Sequence, residues 1–196
     1  MLIGAFPDLF APRVMAEMRG WQDAAGRSPF WNAIGARFFD MPFDAADRLS
    51  AVQGAGFIAD LMPKQPIYTA LLPDDARLAI GRAHEVSARA MAMLMDEDFR
   101  YEAHVDVFDG GPQVHVQRDH IRTIRETIVR PVSSHPSALV SPLLISNRSL
   151  EDFRVVQTVG AISSDAVLIP GDALARVGVC CGELVRAAPG ARQRVA

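Results

Sequence analysis

The sequence predicts an α+β protein: a mixed sheet with flanking helices over residues 1–131, then a small β-rich subdomain over residues 132–196. Three observations carry that prediction. "YEAHVDVF" (101–108) alternates apolar and polar residues, the period of a half-buried strand. "GRSPFWNAIGARFFDMPF" (26–43) repeats its large apolar residues at helical spacing. From about Val132 the chain changes to short β-like runs separated by turn residues.

Taken in order, "RVMAEMRG" (13–20) alternates and stops at glycine, which suits a strand. Ser28 is a good N-cap and Pro29 fits the first turn of the helix that follows; Phe30, Trp31, Ile34 and Phe38 form its stripe, and Pro42 stops it. A second short helix starts at Asp44. "FIADLMPKQPIYTALLP" (57–73) carries three prolines and reads as extended, bent at Pro63 and Pro66. "PDDARLAIG" reads as a short helix with Asp74 and Asp75 in its first turn and Gly81 just past its end. After His84, Ser87 can cap a helix whose Ala90, Met91, Leu94 and Met95 share a face. In the strand 101–108, Tyr101, Ala103, Val105 and Val107 point one way and Glu102, His104, Asp106 and Phe108 the other. "DGGP" turns the chain, "QVHV" is extended, and Asp119 caps "HIRTIRETI". "SSHPSALVSP" is linker-like; after it "PLLIS", "DFRVVQTVGAI", "AVLIP" and "ELVRAA" are the β runs.

The composition narrows the partners. A chain of 196 residues, 49% hydrophobic and 22% charged, has the make-up of an ordinary globular protein. A net charge of −3 gives no reason to expect nucleic acid or an anionic membrane as a partner. Adjacent Cys180 and Cys181 have neither relaxed disulfide geometry nor metal-ligand spacing. No stretch approaches the ~20 apolar residues that span a bilayer, and "MLIGAFPDLFAPRV" lacks the basic start of a signal peptide. A cytoplasmic protein is the default expectation.

His84, between two predicted helices, reads either as a solvated loop histidine or as a general acid or base, since imidazole titrates near neutral pH. Glu102, His104 and Asp106 form either the solvated face of a strand or a subsite for a cationic substrate, whose guanidinium or ammonium would pair with carboxylates. His104, His115, His120 and His135 match no metal-ligand spacing, so no metal is expected. Arg118, Arg122, Arg125 and Arg130 are either a solvated helix face or, less favoured, a phosphate contact. No GxSxG, P-loop or dinucleotide fingerprint is present.

Several blocks in one order go further. "MAEMRG", "GRSPFWNAIGARFFDMPFDAADRLS", "FIADLMPKQPIYTALLP", "IGRAH" and "VDVFDGGP", followed more weakly by "LISN" and "DFRVV", resemble the arginine N-succinyltransferase family. The resemblance implies a GNAT-type acyl-CoA N-acyltransferase fold with a C-terminal barrel-like subdomain. It implies transfer of succinyl from succinyl-CoA, a co-substrate rather than a bound cofactor, to the α-amine of L-arginine in arginine catabolism. Some relatives also accept L-ornithine. The family's histidine proton donor lies in its "IGxxH" block, which carries over to His84. Departures accompany the match: Glu85 where proline often follows that histidine, Asp98 where glycine commonly ends a helix, Ala55 where a polar residue is usual, and His104 where tyrosine is frequent.

The resemblance also places Met1 near the end of the helix that follows the family's pyrophosphate-binding loop. The expectation is therefore a C-terminal portion of a longer enzyme, without the glycine-rich loop whose amides would hold the CoA phosphates. The implied chemistry is attack of the free amine on the thioester, with a backbone amide holding the oxyanion and His84 protonating the departing thiolate. Glu17, Asp106 and Asp109 are the carboxylates that would meet the guanidinium. The alternative is a non-catalytic fragment or an interaction module, an oligomer or one that pairs with a complementary N-terminal half.

Overall fold

A computed structural model describes residues 1–53, 56–134 and 141–190. Ala55, His135 and the centre of "SSHPSALVSP" lie outside these described residues. The elements run α1 (Leu2–Ala5), β1 (Arg13–Glu17), α2 (Pro29–Ala33), α3 (Gly35–Phe39), α4 (Phe43–Gln53), α5 (Gly56–Leu61), α6 (Asp74–Ala79), α7 (Glu85–Asp96), β2 (Arg100–Val105) and β3 (Pro112–Gln117). They continue with α8 (Arg122–Arg125), β4 (Ile128–Ser134), β5 (Ser141–Ser146), β6 (Val155–Ile162), β7 (Val167–Ile169), α9 (Gly171–Val177) and β8 (Leu184–Pro189). The fold is α+β, with a three-stranded sheet ordered β1-β3-β2 and a closed five-stranded barrel ordered β4-β7-β6-β5-β8. Two compact units divide the chain: residues 15–95 with 99–115, and residues 1–14 with 96–98 and 116–196.

The expected mixed sheet is antiparallel instead. β2 pairs antiparallel with β3, and Met18 N–H to Pro112 O with Arg118 N–H to Pro12 O fixes the same sense for β1 and β3. The predicted strand 101–108 is shorter than expected. It ends at Val105, and the register slips between Tyr101 and His104, where Ala103 takes a left-handed φ of 59°. That bulge breaks the clean alternation, because an inserted residue has no cross-strand partner.

In the unit of residues 15–95 and 99–115, Ser28 caps α2 through Trp31 N–H at 3.1 Å, with Pro29 in the first turn as expected. The predicted single helix breaks at Ile34 (φ −118°, ψ −73°), and the break resets its phase. Phe39 is buried in place of the expected Phe38, which is exposed. Trp31 becomes the centre of an aromatic cluster, its ring 5.3 Å from Phe39, 6.0 Å from Phe43 and 5.6 Å from Phe108. Its indole N–H donates to Met41 O, so the one polar atom of this buried ring is satisfied. The segment expected to be extended from Phe57 begins as α5, since no proline falls within Gly56–Leu61 to prevent a helix. α6 matches its prediction and packs on α2.

In the other unit, every strand presents β-branched or leucine side chains to the barrel interior. Val132, Leu143, Ile145, Val156, Val167, Ile169, Val185 and Ala187 form one buried cluster with Ala173, Leu174 and Val177 of α9. Four of the five barrel ladders are antiparallel, as in Ile145 opposite Ala187 and Leu143 opposite Thr158; β4 with β7 is the parallel pair. The predicted β runs are present as β5–β8, with β4 added ahead of them and α9 inserted between β7 and β8. Asp119 does not cap a helix: its carboxylate pairs with Arg118, and α8 begins after Ile121.

Candidate active site

Three loop segments meet in one corner of the unit of residues 15–95 and 99–115. They are "MRGW" after β1, "GRAH" after α6, and "DVFDGG" between β2 and β3. Backbone bonds tie the first two: Trp21 N–H to Arg82 O at 3.0 Å, His84 N–H to Arg19 O at 2.7 Å, and a bridge between Gly20 and Ala83. The Arg82 guanidinium lies over the Trp21 ring, 4.5 Å from its centre. The third segment joins through Gly81 N–H to Gly110 O at 2.8 Å and Gly20 N–H to Asp109 Oδ2 at 2.6 Å. "DGGP" is thus more than a turn. Gly110 adopts φ 70° against the Phe30 ring, and a Cβ on Gly111 would overlap Met18 O.

His84 stands at the N-cap of α7, three residues before the cap expected at Ser87. Its Nδ1 accepts the Val86 N–H at 3.2 Å. This bond has a chemical consequence. With Nδ1 as acceptor, the neutral imidazole carries its proton on Nε2, the tautomer that can donate outward. The ring is half-buried, so its outer nitrogen is held in a fixed direction by the helix end rather than free in solvent.

The three carboxylates occupy different environments. Asp109 is buried, with Oδ2 on Gly20 N–H and Oδ1 on Gly111 N–H at 2.8 Å. Asp106 is half-buried and uses Oδ1 for Phe108 N–H at 2.8 Å and Asp109 N–H at 3.1 Å. Burial pushes its carboxyl above the ordinary range, against the pull of those two N–H donors, and the neighbouring Asp109 adds to the rise. Glu17 is exposed at the end of β1 and accepts from Gln113 Nε2 at 2.8 Å. The structure brings Asp106 and Asp109 into one turn and links Asp109 to the strap that carries His84.

The remaining sequence candidates sort differently. His104 is exposed, and its ring lies 5.2 Å from that of His115, edge to face. The four arginines do not form a free phosphate-binding face. Arg118 pairs with Asp119 and reaches Pro7 O, Arg122 is buried with Glu97 and Glu126, Arg125 pairs with Asp98, and Arg130 donates to Ser164 O. Among the described residues no group of three or more His, Cys, Asp or Glu side chains is gathered as a metal site, and no helix is long and apolar enough to cross a membrane. Sequence reasoning missed the Arg19–Gly20 strap. The glycines at 20, 81, 110 and 111 were its only signal.

A three-stranded antiparallel sheet and a closed five-stranded barrel put the chain in an α+β class of which a solved member is known. Titled as arginine/ornithine succinyltransferase subunit AI from Pseudomonas aeruginosa, that structure superposes with a TM-score of 0.82 at 34% identity, over 97% of this chain and 55% of its own. The family model for the arginine N-succinyltransferase beta subunit matches residues 1–123. The chain belongs to the arginine N-succinyltransferase family. Among its relatives, arginine N-succinyltransferase subunit beta of P. aeruginosa is 40% identical over 196 residues, 99% of this chain and 57% of the relative. The arginine N-succinyltransferase of Escherichia coli is 39% identical over 188 residues, 95% of this chain and 55% of the relative; that of Yersinia enterocolitica is 37% identical over 191 residues, with the same two shares. The chain spans about half the length of the curated relatives it matches.

Proposed function

We propose that this chain carries the proton-donating part of an arginine N-succinyltransferase, a GNAT-type enzyme that moves succinyl from succinyl-CoA to the α-amine of arginine. The observation that carries the reading is His84: it lies in the block that resembles the family's donor motif, and its Nδ1 bond to Val86 N–H leaves the proton on Nε2. In this reading the amine attacks the thioester carbonyl and the C–S bond of the tetrahedral intermediate breaks; Nε2 gives its proton to the departing thiolate while the proton shed by the amine reaches the ring through water, so the imidazole ends neutral. Glu17 and Asp106 are the carboxylates offered to the guanidinium. Asp106 Oδ2, on a carboxyl whose Oδ1 is already held by two backbone donors, is the better oriented of the two. Residues 1–131 belong to the acyltransferase portion and 132–196 to the subdomain after it.

The CoA-binding part is assigned to the remaining length seen in the relatives, in the same protein or in a partner chain. The half-length match supports this, as does the engagement of Arg118, Arg122, Arg125 and Arg130 in contacts within the protein. The test is arginine-dependent thiol release from succinyl-CoA by the 196-residue chain, alone and with the remaining portion added. Turnover should need both parts, and His84→Ala in that pair should lower it by ~10²–10⁴-fold. Robust turnover by the chain alone would overturn the division of labour, and near-normal turnover by the variant would return His84 to a loop-filling role.

A further inference from the structure

We infer that Asp109 is a positioning residue that holds His84 through a single shared peptide group. The inference rests on His84 as the proton donor. It assigns Asp109 a role other than contact with the substrate guanidinium.

The Arg19–Gly20 peptide presents its two polar atoms to opposite partners. Its N–H donates to Asp109 Oδ2 at 2.6 Å, and its C=O accepts from the backbone N–H of His84 at 2.7 Å. A peptide group is planar and stiff, so fixing one end fixes the direction of the other. A carboxylate on the N–H also draws charge toward it and makes the carbonyl a better acceptor, the cooperativity expected of hydrogen bonds in series. The second oxygen of Asp109 holds Gly111 N–H at 2.8 Å, so the carboxylate is anchored on its own turn before it reaches across.

Three further observations agree. Asp109 is buried, and each of its oxygens holds a backbone N–H, so the carboxylate is turned to the loops rather than to solvent. Position 20 admits only glycine, because a Cβ there would overlap the Asp109 carbonyl and crowd its carboxylate. The strap on the far side is doubled by Trp21 N–H to Arg82 O, so a shift of Gly20 is passed to the residues just ahead of His84 as well as to His84 itself.

The test needs no turnover, which separates it from the proposed activity. In ¹⁵N-labelled chain, Asp109→Asn should remove the charge-assisted bond and return the Gly20 amide proton from its downfield position. In the same variant, protection of the His84 amide against hydrogen exchange should fall by ~10-fold, the scale of one lost hydrogen bond, and the ring ¹⁵N shifts of His84 should move toward a mixture of tautomers. A folded Asp109→Asn chain with unchanged His84 ring shifts and unchanged His84 exchange would overturn the inference. If that variant does not fold, exchange in the unaltered chain decides. The Gly20 and His84 amides should open together with the same protection, and a His84 amide exchanging ~10-fold faster than Gly20 would show that the peptide does not couple them.

Discussion

The barrel and the corner around His84 are stabilised in opposite ways. In the barrel, side chains do the work: Ile145, Val167, Val185 and Ala187 are fully buried, and the ladder bonds follow from a closed ring of strands. Around His84, side chains are largely absent from the joints. Gly20 and Gly111 let backbones touch, Gly81 and Gly110 make room for the Tyr101 and Phe30 rings, and one buried carboxylate links the loops. A side-chain core tolerates a moved backbone if volume is conserved. A backbone joint tolerates almost no added atom, as the overlaps of a Cβ at Gly20 and Gly111 with the Asp109 and Met18 carbonyls show.

The largest difference should appear in stability. Ile145→Ala empties a fully buried site and should cost ~2–5 kcal/mol of unfolding free energy. His84→Ala removes a half-buried cap and should cost only ~0.5–2 kcal/mol. Urea unfolding of the two variants checks this; equal losses would break the comparison.

A smaller effect is expected at Asp106, and it is one of pH. Burial raises the folded carboxyl above the unfolded value of about 3.9. Its contribution to stability is therefore fully present below that value and is lost as pH rises through the raised folded value. Asp106→Asn keeps an acceptor for Phe108 and Asp109 N–H but cannot ionise. Relative to the unaltered chain, the variant should gain stability as pH climbs from about 4 toward 7, and show no trend at lower pH. Thermal melts across that range test the sign, and a difference that falls with rising pH would contradict the burial argument.

The same contrast explains what the sequence made legible. Barrel strands are read locally, since each of "PLLIS", "AVLIP" and "ELVRAA" declares itself by composition. Ser28 and Pro29 declare the start of α2 for the same reason. The break at Ile34 does not, because nothing in "WNAIGARFF" marks a change of phase; packing against Trp31 decides between Phe38 and Phe39. β2 misled in a different way: its alternation is real, but the bulge at Ala103 depends on the pairing with β3. Asp98 is a departure that the structure explains. Glycine is usual there in the resembling family, and Asp98 holds a φ of 68°. His84 was read from its motif block, whereas the Arg19–Gly20 peptide bonded to its amide joins segments about sixty-five and ninety residues apart in sequence, beyond any local pattern.

The finest test of the comparison applies one substitution, alanine to glycine, in both regions. At Ala103 the backbone is left-handed, a conformation that costs an L-residue ~1–2 kcal/mol and glycine nothing. Glycine's greater freedom in the unfolded chain returns ~0.5–1 kcal/mol of that gain. Ala103 is exposed, so no packing is lost. Ala103→Gly should therefore stabilise by about 0.5–1 kcal/mol. Ala187 sits fully buried in an ordinary strand of the barrel. There the same change removes a packed methyl worth ~0.8 kcal/mol and adds the same entropic cost, a loss of about 1–2 kcal/mol. Opposite signs in paired urea titrations would show that backbone conformation governs the loop-rich unit at a position where side-chain burial governs the barrel. Destabilisation by both would mean that the bulge at Ala103 relaxes at no cost, and that the two regions differ less than their contacts suggest.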